Sequence, residues 1–493
     1  MSAVANPPNA GLNPAGGPGP AVPSVRVPLQ FVLTGVMALV AGTVILVRRP
    51  DLLATYHYNQ YIIATTHLFV LGWITSIVMG AMYQLVPVAL ETRLHSERLA
   101  RWHFPLHLIA VAGMVWMFWR WDMKQVAHFG SAYAAGVGLF VYNIGRTLWR
   151  VPRWNVVATA VLSALVWFCL TLGAGLAIAA GKCTYESAAT LSPTSAWGAV
   201  IHSLQAVARF ATRFDQIAAM HAHAHLGVVG IFVMLIVGVS YKLLPMFMLS
   251  DVQRVWRARA SVALLNLGLA GGFFAILLRS PLKQVFAAVI VLALILYGCE
   301  VAAIFQARKR RTLDWGLKYF LTAVGLLAPV SLLAMVLSLP GLPLNAFTGQ
   351  LENLYGMAGI LGVISFAIIG MLYKITPFLV WYASYSRHIG KARVPSLADL
   401  YSSALQVAGY WTYLGGLLVT GTGIVLSHAL LCRAGTMLLL ASLGILVVNL
   451  GLILRHLVKP RIEPLRVGPS NPLTPRPSTS NLGNPLPRLA TDS

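Results

Sequence analysis

The chain has 493 residues, of which 58% are hydrophobic and only 10% are charged. A typical soluble domain is about 25% charged, so this composition excludes an ordinary soluble protein and indicates a polytopic membrane protein. The net charge of +23 would suggest nucleic acid as the partner of a soluble protein, whereas here it indicates basic loops on one side of a bilayer. We therefore expect the lipid bilayer as a partner, and no nucleic acid.

The two ends of the chain differ in composition from its middle. Residues 1–28 and 460–493 are rich in Pro together with Gly, Ala or Ser, and we predict that both are disordered tails. Residues 29–456 contain apolar segments long enough to cross a hydrocarbon core of roughly 30 Å as helices. The twelve segments are 29–48, 61–90, 104–120, 127–146, 155–180, 217–247, 258–279, 284–307, 316–339, 351–382, 403–427 and 432–456.

The basic residues predict the orientation of these segments. If the N-terminus lies inside, most of the 36 Lys and Arg residues fall in inner loops and tails, as the positive-inside rule requires. The fold class is therefore an all-α polytopic membrane protein with about twelve transmembrane helices. We expect it in the inner membrane of a bacterium, with both termini in the cytoplasm.

Three of the segments share a motif in which a first residue is followed by Gly, Gly, Tyr and Pro at offsets of 5, 13, 16 and 20. The motif residues are His67, Gly72, Gly80, Tyr83 and Pro87 in segment two, His225, Gly230, Gly238, Tyr241 and Pro245 in segment six, and Met357, Gly362, Gly370, Tyr373 and Pro377 in segment ten. Matching offsets in every fourth segment indicate three repeats of a four-helix unit. The predicted repeats span about 29–150, 155–311 and 316–459.

The first motif residue is the strongest candidate for cofactor binding. His67, His225 and Met357 should lie at similar depth in the outer third of the membrane, where an imidazole is costly and usually functional. Met is a soft thioether ligand that pairs with His on haem iron, so Met357 is also a candidate ligand. The alternatives are a structural role for the histidines and core packing for the methionine.

Segment six adds a histidine cluster. His221 and His225 are four residues apart and share a helix face, whereas His223 points away from that face. This pair suits copper, iron or zinc, and His202 in the preceding outer loop is a candidate to complete the metal site. The alternative is a polar helix mouth in interfacial water. Further inside, Glu300 is predicted either to be a proton-path acid or to partner a neighbouring polar group.

These residues resemble the catalytic subunit of haem–copper oxidases and nitric oxide reductases. The resemblance rests on twelve helices in three groups of four, on Thr66 to Pro87 and on His221 to Pro245, and it covers residues 29 to 456. The same features are similar to the haem- and copper-containing, NnrS-like family linked to nitric oxide stress. Carried over by position, His67 matches the low-spin haem ligand, and His225 or His221 matches a copper ligand.

The sequence departs from the oxidase pattern at two helices. Segment seven lacks the His pair for copper, and segment ten has Met357 in place of a His-x-His motif. The resemblance therefore implies a b-type haem held by His67 and Met357, with copper at a reduced site. It implies redox chemistry of oxygen or nitric oxide, or electron transfer, with a cytochrome c-type donor or other oxidase subunits as partners. The alternatives are a copper or haem transporter or chaperone, and a non-catalytic nitric oxide sensor that kept the fold.

Overall fold

The structure, a computed structural model, describes residues 25–55, 58–187, 202, 205–206 and 209–464. Across these ranges the chain is almost entirely helical, and twelve long helices follow the order of the predicted segments. The helices are α1 (Arg26–Arg48), α2 (Gln60–Ala89), α3 (Glu97–Arg120), α4 (Met123–Leu148), α5 (Val156–Ser187), α6 (Gln216–Met248), α7 (Val255–Leu277), α8 (Lys283–Gln306), α9 (Trp315–Leu337), α10 (Ala346–His388), α11 (Ser403–Val425) and α12 (Ala429–Val458).

The ends of the described chain extend beyond the predicted membrane domain. Helix α1 begins at Arg26, inside the segment 1–28 that composition assigns to a tail. After α12, strand β2 (Glu463–Pro464) pairs antiparallel with β1 (Ala392–Arg393), so the first residues of the predicted tail 460–493 belong to the fold. The remainder of both predicted tails lies outside the described residues.

Ten of the twelve helices in the described chain are long and apolar enough to cross a membrane. Helices α4 and α11 have 26 and 23 residues, so they are long enough but less apolar. Exposed Trp102, Trp149 and Trp154 lie at or beside helix ends, where tryptophan is enriched at membrane–water interfaces. The chain is thus an all-α membrane protein, and the count of twelve spans stays a prediction.

The helices pack in the same way within each successive group of four. In each group the first helix packs on the second and the third on the fourth, and the fourth packs on the first helix of the next group. Helix α12 returns to α1 in this way, which closes the bundle. Three copies of a four-helix unit would produce this packing, although the repeat itself remains a prediction from the motif.

An asparagine of the fourth helix holds the N-terminus of the third helix in two of the groups. The Asn143 side chain accepts from the Ser96 backbone nitrogen at 2.9 Å and donates to the Ser96 carbonyl at 2.7 Å. Asn449 makes the same pair of bonds to Ser402, at 2.8 and 3.0 Å. Both serines are N-cap residues, so the bond to each serine N–H satisfies a backbone donor that the helix end leaves unpaired.

In the second group, Glu300 of α8 holds the N-terminus of the third helix, α7. Its Oε1 accepts from the backbone nitrogens of Gln253 and Arg254, at 2.6 and 2.9 Å, and Arg254 is the N-cap of α7. Its Oε2 lies 3.7 Å from an Arg257 guanidinium nitrogen. These contacts match the expectation that Glu300 partners neighbouring polar groups, and they explain how a fully buried carboxylate is accommodated.

Candidate functional site

Each of the three motif helices changes from α-helix to π-helix close to the first motif residue. The π-helical segments are Leu68–Thr75, Val228–Val233 and Ala358–Ile364. The first and third segments follow His67 and Met357 directly, and the second segment begins three residues after His225. π-Helices are rare and occur mostly as short bulges at functional sites, so their recurrence here marks this level of the bundle.

The π-helical segments meet inside the bundle. The third segment packs against both the first and the second. Trp73 of the first segment donates its indole N–H to Ser365 Oγ, just after the third segment, at 2.9 Å. Tyr413 of α11 donates its hydroxyl to the Leu361 carbonyl of the third segment at 2.8 Å. The first motif residues of the three groups are therefore brought to one level of the protein.

His67 and His225 adopt the same side-chain arrangement. The Nδ1 atom of His67 lies 2.8 Å from the carbonyl oxygen of Ile63, and that of His225 lies 2.8 Å from the carbonyl oxygen of His221. A carbonyl only accepts, so each Nδ1 carries the proton and donates. In the neutral ring, Nε2 then keeps its lone pair. This is the tautomer and the anchoring that metal-binding histidines require.

His225 contacts a residue of the third group. The Tyr355 hydroxyl lies 3.3 Å from His225 Nε2, and the two rings stack with centroids 5.8 Å apart. Because Nε2 of this tautomer can only accept, the tyrosine hydroxyl donates. The same nitrogen is the one that would bind a metal, so a ligand at His225 has to replace this hydrogen bond.

His67 packs against α3. Its ring packs on Phe118, with centroids 4.4 Å apart. On α6, His223 lies against α5. An added Cβ at Gly175 of α5 would lie 2.9 Å from His223 Cε1. His223 Nδ1 is buried without a hydrogen-bond partner among the described residues.

Tyr355 lies two residues before Met357, the first motif residue of its own group. The first motif residue of the second group therefore contacts this position of the third group, in the pair His225 with Tyr355. The motif alone did not reveal this contact, because Tyr355 is not a motif residue.

Met357 is buried and lies beside α11. A Cβ added at Gly421 would be 3.6 Å from its terminal methyl carbon, so glycine leaves room for the thioether on that side. His67 likewise contacts the third helix of its own group through Phe118. The pairing of Met357 with His67 across a haem remains a prediction.

The proposed metal ligands are brought together only in part. His221 lies one turn before His225 on α6 and is partly buried, and His202 is a partly buried helical residue beside undescribed residues. Within the described ranges, no group of three His, Cys, Asp or Glu side chains is close enough to hold a metal ion. A copper site at His221, His223, His225 and His202 therefore stays a prediction.

Several of these side chains keep some accessible surface although protein surrounds them. His67, His225 and Tyr355 are partly covered rather than fully buried. An anchored imidazole with a lone pair on Nε2 beside the Phe118 ring has the chemistry of a ligand for haem iron.

The chain was also compared with known proteins. No family model matches it, and no curated protein matches its sequence.

Proposed function

We propose that the protein is an integral membrane haem protein in which His67 would hold the iron. The observation that carries the proposal is the anchored His67 imidazole, whose Nδ1 donates to the Ile63 carbonyl and whose Nε2 is left as an acceptor. The π-helical segment directly after His67 supports the same site, since such segments are frequent at functional sites. Met357 at the equivalent motif position is the proposed second ligand.

A bound haem would supply one-electron chemistry at iron, which suits electron transfer or the reduction of oxygen or nitric oxide. The residues of this chain would hold and surround the group. The Ile63 carbonyl sets the direction of the His67 ring, and Phe118 packs on its face. His225 and Tyr355 present a polar pair at the same level, which could bind a small polar ligand or a copper ion after the tyrosine moves.

The test is a visible spectrum of the full-length protein purified in mild detergent. We expect a Soret band and low-spin haem in the wild type. His67→Ala should lose the haem, and Met357→Leu should keep the haem but become high-spin with a lower reduction potential. His128→Ala is the matched control because His128 is an exposed histidine on α4, and its spectrum should match the wild type.

Two results would overturn the proposal. One is folded wild-type protein that shows no Soret absorbance even after addition of haem. The other is a His67→Ala variant whose haem content and spectrum equal those of the wild type. Circular dichroism and gel filtration of each variant separate loss of haem from loss of fold.

A second candidate function is the transfer of copper across or into the membrane. The observation in its favour is that His221, His223 and His225 lie close together on α6, because imidazole binds copper well. Uptake of copper into vesicles that contain haem-free protein, and its loss in His223→Ala, would favour transport. Haem binding without copper uptake would favour the redox function.

A further inference from the structure

A run of four basic residues joins α8 to α9. The residues are Arg308, Lys309, Arg310 and Arg311, and we call them the basic loop. Helix α8 ends at Gln306, just before the basic loop, and both α8 and α9 are long and apolar enough to cross a membrane. The basic loop is therefore expected at the level where these two helices leave the bilayer.

The backbone of the basic loop is attached to the end of α6. The backbone nitrogens of Lys309 and Arg310 donate to the carbonyl oxygens of Leu249 and Met248, at 3.4 and 3.3 Å. Met248 is the last residue of α6, and a helix leaves its last carbonyls without partners. These bonds use no side chain of the basic loop. This end of α6 is remote from His225, which lies in the first third of the helix.

Most of the positive charge of the basic loop is not compensated by carboxylates. In the described chain, Arg310 is the one loop residue with an ion pair to an Asp or Glu, and it lies 3.9 Å from Asp314 Oδ2. The same oxygen of Asp314 contacts Lys374 Nζ more closely, at 2.5 Å. Asp314 is therefore mainly neutralised by Lys374, and the basic loop keeps nearly its full charge.

Exposed apolar side chains lie directly beside the basic loop. Leu249, whose carbonyl accepts from Lys309, is 54% exposed, and Met246 in the last turn of α6 is 48% exposed. The Arg308 guanidinium lies over the Phe305 ring of α8, with its Cζ 3.8 Å from the ring centroid. Cations and exposed apolar groups therefore occur together at this end of α6.

The first turn of α9 continues the same surface. Lys318 Nζ lies 3.9 Å from the centroid of the Trp315 ring. Tryptophan and basic residues at helix ends are typical of the boundary between lipid and water. The stretch from Arg308 to Lys318 contains five basic residues and one acidic residue, Asp314. The excess of positive charge thus extends from the basic loop into α9.

We propose that the basic loop binds the headgroup of an anionic phospholipid. Four or more basic residues directly beside a membrane-spanning helix are typical of contacts with anionic lipid. A phospholipid brings a phosphate to the cations and acyl chains to the exposed Leu249 and Met246, whereas a free phosphate ion would leave both apolar side chains in water. A zwitterionic phospholipid has no net charge, so it gains less from the four cations.

The test is native mass spectrometry of the full-length protein in mild detergent, with phosphatidylglycerol or phosphatidylcholine added. The test variant combines Lys309→Gln, Arg310→Gln and Arg311→Gln, which removes three charges and keeps the backbone bonds to α6. We expect the wild type to bind phosphatidylglycerol more tightly than phosphatidylcholine. The variant should bind phosphatidylglycerol about tenfold more weakly or worse, because each basic residue near the headgroups contributes to the attraction.

The matched control combines Arg48→Gln, Lys124→Gln and Arg433→Gln. These three residues are exposed and lie at the opposite end of the bundle. The same loss of net charge there should change phosphatidylglycerol binding by less than about twofold, because exposed charges so far away are screened. Circular dichroism checks that both triple variants keep the helical fold of the wild type.

Three results would overturn the proposal. The first is equal weakening in the two triple variants, because overall charge would then explain the binding. The second is equal affinity of the wild type for the two lipids. The third is displacement of phosphatidylglycerol by inorganic phosphate but not by sodium chloride of equal ionic strength, which would indicate a site for a free anion. The measurement needs no haem, so failure of the haem proposal leaves its outcome unaffected.

Discussion

Replacement of Glu300 by Ala should lower the free energy of unfolding by about 3–5 kcal/mol. Glu300 is fully buried, and its Oε1 accepts from the Gln253 and Arg254 nitrogens at 2.6 and 2.9 Å. Each hydrogen bond to a charged group contributes about 1.5–3 kcal/mol, so loss of the two accounts for the total. Arg257 adds little, because it is 3.7 Å away and its side chain is 29% exposed.

The matched variant is Glu300→Gln, which keeps an oxygen acceptor for both backbone nitrogens but removes the charge. We expect it to lose about 1–2 kcal/mol, less than Ala. Reversible unfolding in mixed detergent micelles, followed by circular dichroism, measures both variants. An Ala variant within about 0.5 kcal/mol of the wild type would refute this account of Glu300. A Gln variant as unstable as Ala would show that charge, rather than the acceptor, stabilises α7.

Two further predictions concern helix packing and pH. Gly435→Ala should lower the free energy of unfolding by about 1–3 kcal/mol, because its Cβ would overlap the Thr420 backbone nitrogen. Gly444→Ala should be neutral or stabilising, since nothing lies within 4 Å of its added Cβ. Thermal unfolding in detergent compares the two variants, and equal losses of stability would contradict the packing argument. The Arg49 guanidinium, hydrogen-bonded to Asp51, holds the pKa of that carboxyl below its usual value. This pair therefore stabilises the fold above the unfolded carboxyl pKa, and its contribution of about 0.2–1 kcal/mol is lost as pH falls through the lowered folded value. Arg49→Gln should raise the Asp51 pKa in an NMR titration, and an unchanged pKa would exclude this cause.

The helical framework could be predicted because a bilayer restricts the choice of structure. Apolar segments long enough to span must form helices, since lipid offers no hydrogen-bond partners to the backbone. The twelve predicted segments therefore match the order of α1 to α12. Helices α4 and α11 formed at the predicted places although their composition is less apolar than that of the other ten.

The roles of single polar residues could not be predicted in the same way. Glu300, Asn143 and Asn449 differ in type and lie in different helices, and only folding shows that each holds the N-terminus of a third helix. A signal was available, because each follows its N-cap partner by 46 or 47 residues. Sequence reasoning missed it, since the second group uses a carboxylate where the others use an amide.

Part of the candidate site could likewise be predicted from the sequence, and part of it could not. Equal motif offsets predicted that His67, His225 and Met357 lie at similar depth, and the π-helical segments that follow them pack together. The change to π-helix was not predictable, because it depends on carbonyls being satisfied by neighbouring helices, as Leu361 is by Tyr413.

By itself the sequence determined that this chain is a helical membrane protein, where its segments lie and which residues recur at matched positions. Those properties follow from local composition and spacing, which the bilayer converts directly into helices. Only the tertiary structure decided which side chains meet: His67 with Phe118, His225 with Tyr355, and His107 with Tyr133. All of these contacts join different helices, and the direction of a side chain towards a neighbouring helix depends on how the helices rotate and pack.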